Sequence, residues 1–144
     1  MKPIIIERTI SAPAEKVFNT VAHITEFSKV IDSITNVEFV SEQQQGVGTR
    51  FKETRVMKGR EATVELEVTE YQPNSRVRIR SDEGGTVWDT VFTVDGQEDG
   101  AKLTMSMEAH PHSFMAKLTT PLIRGMIASA IEADIDAVKR HCEG

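Results

Sequence analysis

Glu53 and Arg55 are the residues whose types and spacing first suggest chemistry. They stand two apart in the segment Thr49 to Met57, TRFKETRVM. On a strand, a two-residue step puts both on one face, in the row of Phe51 and Met57. If Phe51 points inward, a carboxylate and a guanidinium do so too. Dry burial of both ions would cost several kcal/mol each before pairing offsets it. They therefore need partners, water in a hollow, or an opening at the sheet edge. In one reading they form a polar patch that orients the carbonyl or carboxylate of a bound molecule. In the other, a bulge reverses the alternation and both face solvent.

Asp134 is the third polar candidate. It falls in the longest segment with a helical pattern, Phe114 to His141. There Ile123, Met126, Ile127, Ala130, Ile131 and Val138 recur at three- and four-residue steps, one stripe of a 3.6-period helix. Asp134 lies on the side of Ile127, Ala130 and Val138, either hydrated at the rim or aimed into the interior. Glu132, Asp136, Lys139 and Arg140 fall opposite, with Asp136 and Arg140 spaced for a surface pair. Pro121 is expected to kink this helix or mark its true start.

The histidines offer less. His110 and His112 flank Pro111 between the last strand and the long helix. Two imidazoles are too few for a zinc site, and no carboxylate stands at ligand spacing. Solvated loop histidines are expected there, and the same holds for His23. No metal site and no cofactor are expected. The chain has no GxSxG element and no phosphate-binding glycine loop before a helix. Gly46-Val47-Gly48 lies between strands and reads as a turn.

The elements that must position these groups follow from the period of the pattern. Ile4 to Ile10 is a β-branched strand. Ser11, Pro13 and Glu15 open a short helix with Ala14, Val17, Phe18 and Val21 inward. A second short helix is expected over Thr25 to Ile31. From Thr35 the period is two. Ala62, Val64, Leu66 and Val68 alternate with Thr63, Glu65, Glu67 and Thr69, as in an antiparallel sheet with one wet face. Val77 and Ile79 alternate with Arg76, Arg78 and Arg80, so these arginines should face water. Trp88, Thr90, Phe92 and Val94 share one face, as do Leu103, Met105, Met107 and Ala109. The predicted architecture is α+β, with six to seven antiparallel strands curling around the terminal helix and two short helices at one end.

The chain has 144 residues, 39% hydrophobic and 27% charged, with net charge −5. Length and composition predict one soluble globular domain over residues 1–144. No basic cluster stands out, so nucleic acid is not an expected partner. No apolar run is long enough for stable membrane insertion. The lone Cys142 can form no internal disulfide, which fits a cytoplasmic protein. Homodimerisation stays open.

Ile10-Ser11-Ala12-Pro13-Ala14-Glu15-Lys16-Val17-Phe18, then Gly46-Val47-Gly48-Thr49-Arg50-Phe51, then Val68-Thr69-Glu70-Tyr71 before Pro73, and finally the apolar terminal helix, resemble the START-related (SRPBCC) superfamily. That superfamily includes polyketide cyclases and dehydrases, birch-type pollen allergens and lipid-transfer domains. The resemblance covers nearly the whole chain. It implies a helix-grip fold, a cavity between sheet and helix, and a small hydrophobic ligand, lipid-like or polyketide-like. It fixes neither ligand nor reaction, because the superfamily shares no catalytic motif.

The inward positions expected to meet such a ligand are Phe51, Leu66, Val68, Ile79, Trp88 and Phe92 on the strands. Met105, Met107, Met126, Ile127 and Ala130 complete the set. Met115 joins the other methionines as adaptable pocket lining, and all four could equally pack a filled core. Ligand binding is the leading functional expectation. A cofactor-free cyclase or dehydrase is the second, with Glu53, Arg55 or Asp134 moving protons. A protein-interaction module with an apolar outer sheet face is the third.

Overall fold

The computed structural model describes residues 2–144. The elements run β1 (Ile4–Ile10), α1 (Ala14–Ala22), α2 (Ile24–Val30), β2 (Ile34–Phe39), β3 (Arg50–Met57), β4 (Arg60–Gln72), β5 (Arg76–Glu83), β6 (Thr86–Gln97), β7 (Gly100–Pro111) and α3 (Phe114–Glu143). All seven strands form one sheet in the order β1-β7-β6-β5-β4-β3-β2. β2 to β7 are a meander of sequence neighbours, and β1 pairs with β7, Ile6 opposite Met105 and Ile10 opposite Ala101. With α3 laid against the sheet and α1 and α2 at one end, this is the helix-grip arrangement.

Short turns fix the register that the alternation needs. Between β3 and β4 the chain reverses through Lys58 and Gly59, both at positive φ (53° and 77°), the backbone that suits a two-residue hairpin. The ladder between β4 and β5 slips once, between Val68 and Glu70. The slip flips the parity, so Tyr71 shares the inner face with Val68. There Tyr71 packs edge-on against Phe18, ring centroids 5.4 Å apart. The outer face then receives Glu70, which takes Arg76 at 2.8 Å and Arg78 at 3.2 Å. Arg78 also pairs with Asp89. The β5 arginines are thus outward, as expected, but Arg76 and Arg78 are held in an ion-pair ladder. The outer face carries charge here, not an apolar patch.

The core is densest where α1, β1, β6, β7 and the C-terminal half of α3 meet. Ile10, Val17, Phe18, Leu103, Met105, Ile135 and Val138 are fully buried there. Cys142 is buried in the same cluster.

α3 removes one of two alternatives and corrects two expectations. It begins at Phe114 and runs past Pro121 without interruption, so Pro121 does not mark its start. Ser113 caps the first turn by accepting from Ala116 N at 3.1 Å. Thr120 and Thr86 form a buried hydroxyl pair at 2.9 Å that ties the next turn to β6. Gly85, at φ +83°, lets the β5–β6 turn touch this cap; a Cβ there would lie 2.2 Å from Ser113 Oγ.

The buried stripe is also displaced from the expected one. Ile135, Val138 and Cys142 are covered, Ile127, Ala130 and Ile131 are half-buried, while Met126 and Met115 are 57% and 64% exposed. The reason is that α1, β1 and β7 pack against the C-terminal half of α3, and its first half stands away from them. Finally, Asp136 pairs with Arg8 of β1 at 2.8 Å, together with Glu132 at 2.9 Å, instead of with Arg140. Among the described residues no helix is long and apolar enough to cross a membrane.

Candidate functional site

Where α3 stands off, a cavity of about 350 Å³ remains between the helix and the inner face of the sheet. Phe51, Leu66, Ile79, Trp88, Phe92, Met105, Met107, Met126, Ile127 and Ala130 line it. Of the eleven positions expected to face a ligand, Val68 alone is elsewhere. It is 3% exposed and packs in the core, with its backbone tied to Thr49 and Gly48 beside the ladder slip. Met115 is also off the wall, on the exposed side of α3.

Other lining residues escaped the sequence reading. Val21, Ala22, Ile24 and Phe27 close one end from α1 and α2. Apolar spacing placed Val21 inward, but nothing in it separates a core contact from a cavity wall, and Ala22 and Ile24 carried no such signal. Ser81 and Thr90 add hydroxyls to the β5 and β6 walls. Met57 and Met126 belong both to the lining and to the exposed surface. They therefore mark the mouth.

The polar centre of the wall is Arg55. The β3–β4 ladder runs without a slip, Phe51 opposite Leu66, Glu53 opposite Val64 and Arg55 opposite Ala62. No bulge reverses the alternation, so the solvent-facing alternative for Glu53 and Arg55 is overturned. Arg55 Nε donates to Glu53 Oε1 at 2.5 Å, and its Nη1 donates to Asp134 Oδ2 at 2.9 Å. The three side chains are only 10% (Glu53), 13% (Asp134) and 24% (Arg55) exposed. α3 brings Asp134 here because it lies four residues beyond Ala130 and three before Ala137, on the helix side that faces β3.

This group has one positive and two formally negative members. Burial pushes the Asp134 carboxyl above the usual carboxylate range, Arg55 opposes the rise, and the Glu53 charge adds to it. Burial alone would lower the Arg55 guanidinium. Its two carboxylate partners outweigh that and raise it, so it stays charged. Arg55 occupies one oxygen of each carboxylate. Among the described residues the only buried side-chain polar atom without a partner is Thr49 Oγ1. Glu53 Oε2 and Asp134 Oδ1 therefore keep accessible surface, and both residues line the cavity. The arrangement can accept hydrogen bonds from an occupant, and it can hold or release a proton at Asp134.

The histidines lie elsewhere. His110 meets Glu108 at 3.1 Å and His112 meets Asp82 at 2.8 Å, all on the exposed surface. His23 departs from its expected solvated state. It is half-buried, and its Nε2 is 2.8 Å from the Tyr71 hydroxyl.

A family described as "Polyketide cyclase / dehydrase and lipid transport" matches residues 4–143. Among curated proteins, no sequence matches this chain. Many solved structures share its fold at low identity. TTHA0849 from Thermus thermophilus superposes with a TM-score of 0.76 at 18% identity, over 96% of this chain and 94% of its own. The di-domain ARO/CYC BexL from the BE-7585A biosynthetic pathway gives 0.82 at 15% identity, over 99% of this chain and 50% of its own. Norcoclaurine synthase from Thalictrum flavum gives 0.69 at 16% identity, over 96% of this chain and 84% of its own.

Proposed function

Since the chain belongs to the polyketide cyclase / dehydrase and lipid transport family, we propose that it binds a small hydrophobic molecule in the cavity between α3 and the sheet. The observation that carries this reading is a volume of about 350 Å³ walled mainly by apolar side chains, with one ionic group, Glu53–Arg55–Asp134, set into the wall. Ligand sites have this composition, apolar with a few convergent polar groups, and span roughly 300–1,000 Å³. The volume here is at the small end. It suits a compact aromatic or polyketide-like molecule better than a long acyl chain.

Affinity would come from burial of apolar surface, at about 25 cal/mol per Å². The ionic group would set orientation. Met57 and Met126 at the mouth are flexible enough to adjust to an entering ligand. In this reading the protein is cytoplasmic, works on a small molecule and not on nucleic acid, and acts as a monomer or a homodimer alike. Native mass spectrometry of the purified protein tests it. A co-purified small molecule, lost on unfolding, is expected. A protein that is always bare and takes up no apolar probe contradicts it.

A second reading, a cyclase- or dehydrase-type enzyme, is favoured by one observation. Asp134 is a carboxyl whose proton affinity burial has raised, and it faces the same cavity as Arg55. Such a carboxyl can exchange a proton with a bound molecule, while the guanidinium steadies negative charge on an adjacent oxygen. Asp134→Asn would then abolish turnover of a bound substrate and leave its binding in place. Loss of binding and turnover together would point to a positioning role only.

A further inference from the structure

Resting on the ligand reading above, we propose that the buried end of the ligand is a neutral hydrogen-bond donor, a hydroxyl or phenol, and that the site discriminates against a carboxylate. A lone arginine in an apolar cavity would point to an anionic ligand. Arg55 is not alone. Its Nε is held by Glu53 at 2.5 Å and its Nη1 by Asp134 at 2.9 Å. Both contacts are charge-assisted hydrogen bonds, and they set the guanidinium charge against two carboxyl groups before any ligand arrives.

The charge count points the same way. One guanidinium faces two carboxyl groups, so with both carboxyls ionised the cluster carries a net charge of −1, and with one protonated it is neutral. A third carboxylate would meet like charge in a poorly solvated space. There it would also lose its own hydration, in return only for a cation that two carboxyl groups already share.

Besides the Arg55 N–H groups not used by these two contacts, the cluster leaves open acceptor capacity. Glu53 Oε2 and Asp134 Oδ1 retain accessible surface and sit on the wall of a cavity that is otherwise mostly apolar. A carboxylate oxygen there is satisfied by an O–H donor. Trp88 and Ser81 pair across β5 and β6 on the same wall. Ser81 lies two strands from β3, about 10 Å away at the usual strand spacing. Its hydroxyl and the Trp88 N–H are donors. A compact ring system with a hydroxyl at one end and a carbonyl at the other would match both zones.

Isothermal titration calorimetry with 2-naphthol and 2-naphthoic acid at neutral pH tests this, since the two share one apolar body and differ in the polar group. The expected result is binding of 2-naphthol at least about tenfold tighter than 2-naphthoate. In Glu53→Gln the gap should shrink to about threefold or less, as one of the two negative charges is gone. Asp134→Asn, which keeps Glu53, should narrow it as well and guards against misfolding of the first variant. Equal or tighter binding of 2-naphthoate by the unaltered protein overturns the inference while leaving the ligand reading intact. So does a gap that neither variant changes. If neither compound binds, the ligand reading fails and this inference fails with it.

Discussion

Arg55 on β3 donates to the Asp134 carboxylate on α3 across 2.9 Å, tying the sheet to the helix at the edge of the cavity. The pair joins residues 79 positions apart in the chain. Glu53 is the second anchor of the same guanidinium.

Removing the shared cation should be costly. Arg55→Ala leaves two carboxyl groups facing each other in a half-dry site. The unfolding free energy should fall by about 3 kcal/mol, near the low end for breaking a buried pair, because the Arg55 side chain is still 24% exposed. Adding Glu53→Gln to that variant should recover part of the loss, since the neighbours do not act additively. Urea denaturation of the single and double variants measures both effects. A double variant less stable than the single one would contradict the arrangement.

The hydroxyl pair that fastens the first half of α3 gives an independent check. Thr120→Val leaves the buried Thr86 hydroxyl without its partner at 2.9 Å, at a cost of about 1–2 kcal/mol. Replacing both residues by valine removes the unsatisfied group and should restore most of the stability. Thermal melts of the three variants would show this ordering.

His23 should make stability depend on pH. Burial holds its imidazole below the ordinary value of 6.5, with Glu26 opposing weakly. The unfolded chain therefore takes up the proton first as pH falls. The contribution is fully present above pH 6.5 and is lost as pH drops through the lower folded-state value. Urea midpoints should decline over that window and decline less in His23→Gln. An identical slope in both proteins would assign the effect to other groups.

Much of this structure was legible in the period of its residues. Two-residue alternation in β3 placed Phe51, Glu53 and Arg55 on one face, and the 3.6 period of α3 placed Asp134 with Ile127 and Ala130. Their meeting required tertiary placement, which no local pattern carries. Alternation predicts a facing direction only while the ladder is unbroken. It therefore could not place Tyr71, where the slip after Val68 changes parity, nor give His23 its partner. The helical stripe named the apolar residues but not which turns of α3 would be covered. That depends on how far the sheet reaches along the helix, so Met126 emerged at the mouth and Ile135 in the core. Val68 shows the same limit, since an inward residue can face the core or the cavity.

Filling the cavity from the helix side tests the central claim most directly. The measurement is fluorescence titration of N-phenyl-1-naphthylamine, a neutral apolar probe, into the unaltered protein and into Ala130→Trp, with a thermal melt of each. The account predicts saturable binding by the unaltered protein and little or none by the variant, at a similar melting temperature. Equal binding by both proteins, or no binding by the unaltered one, would contradict it.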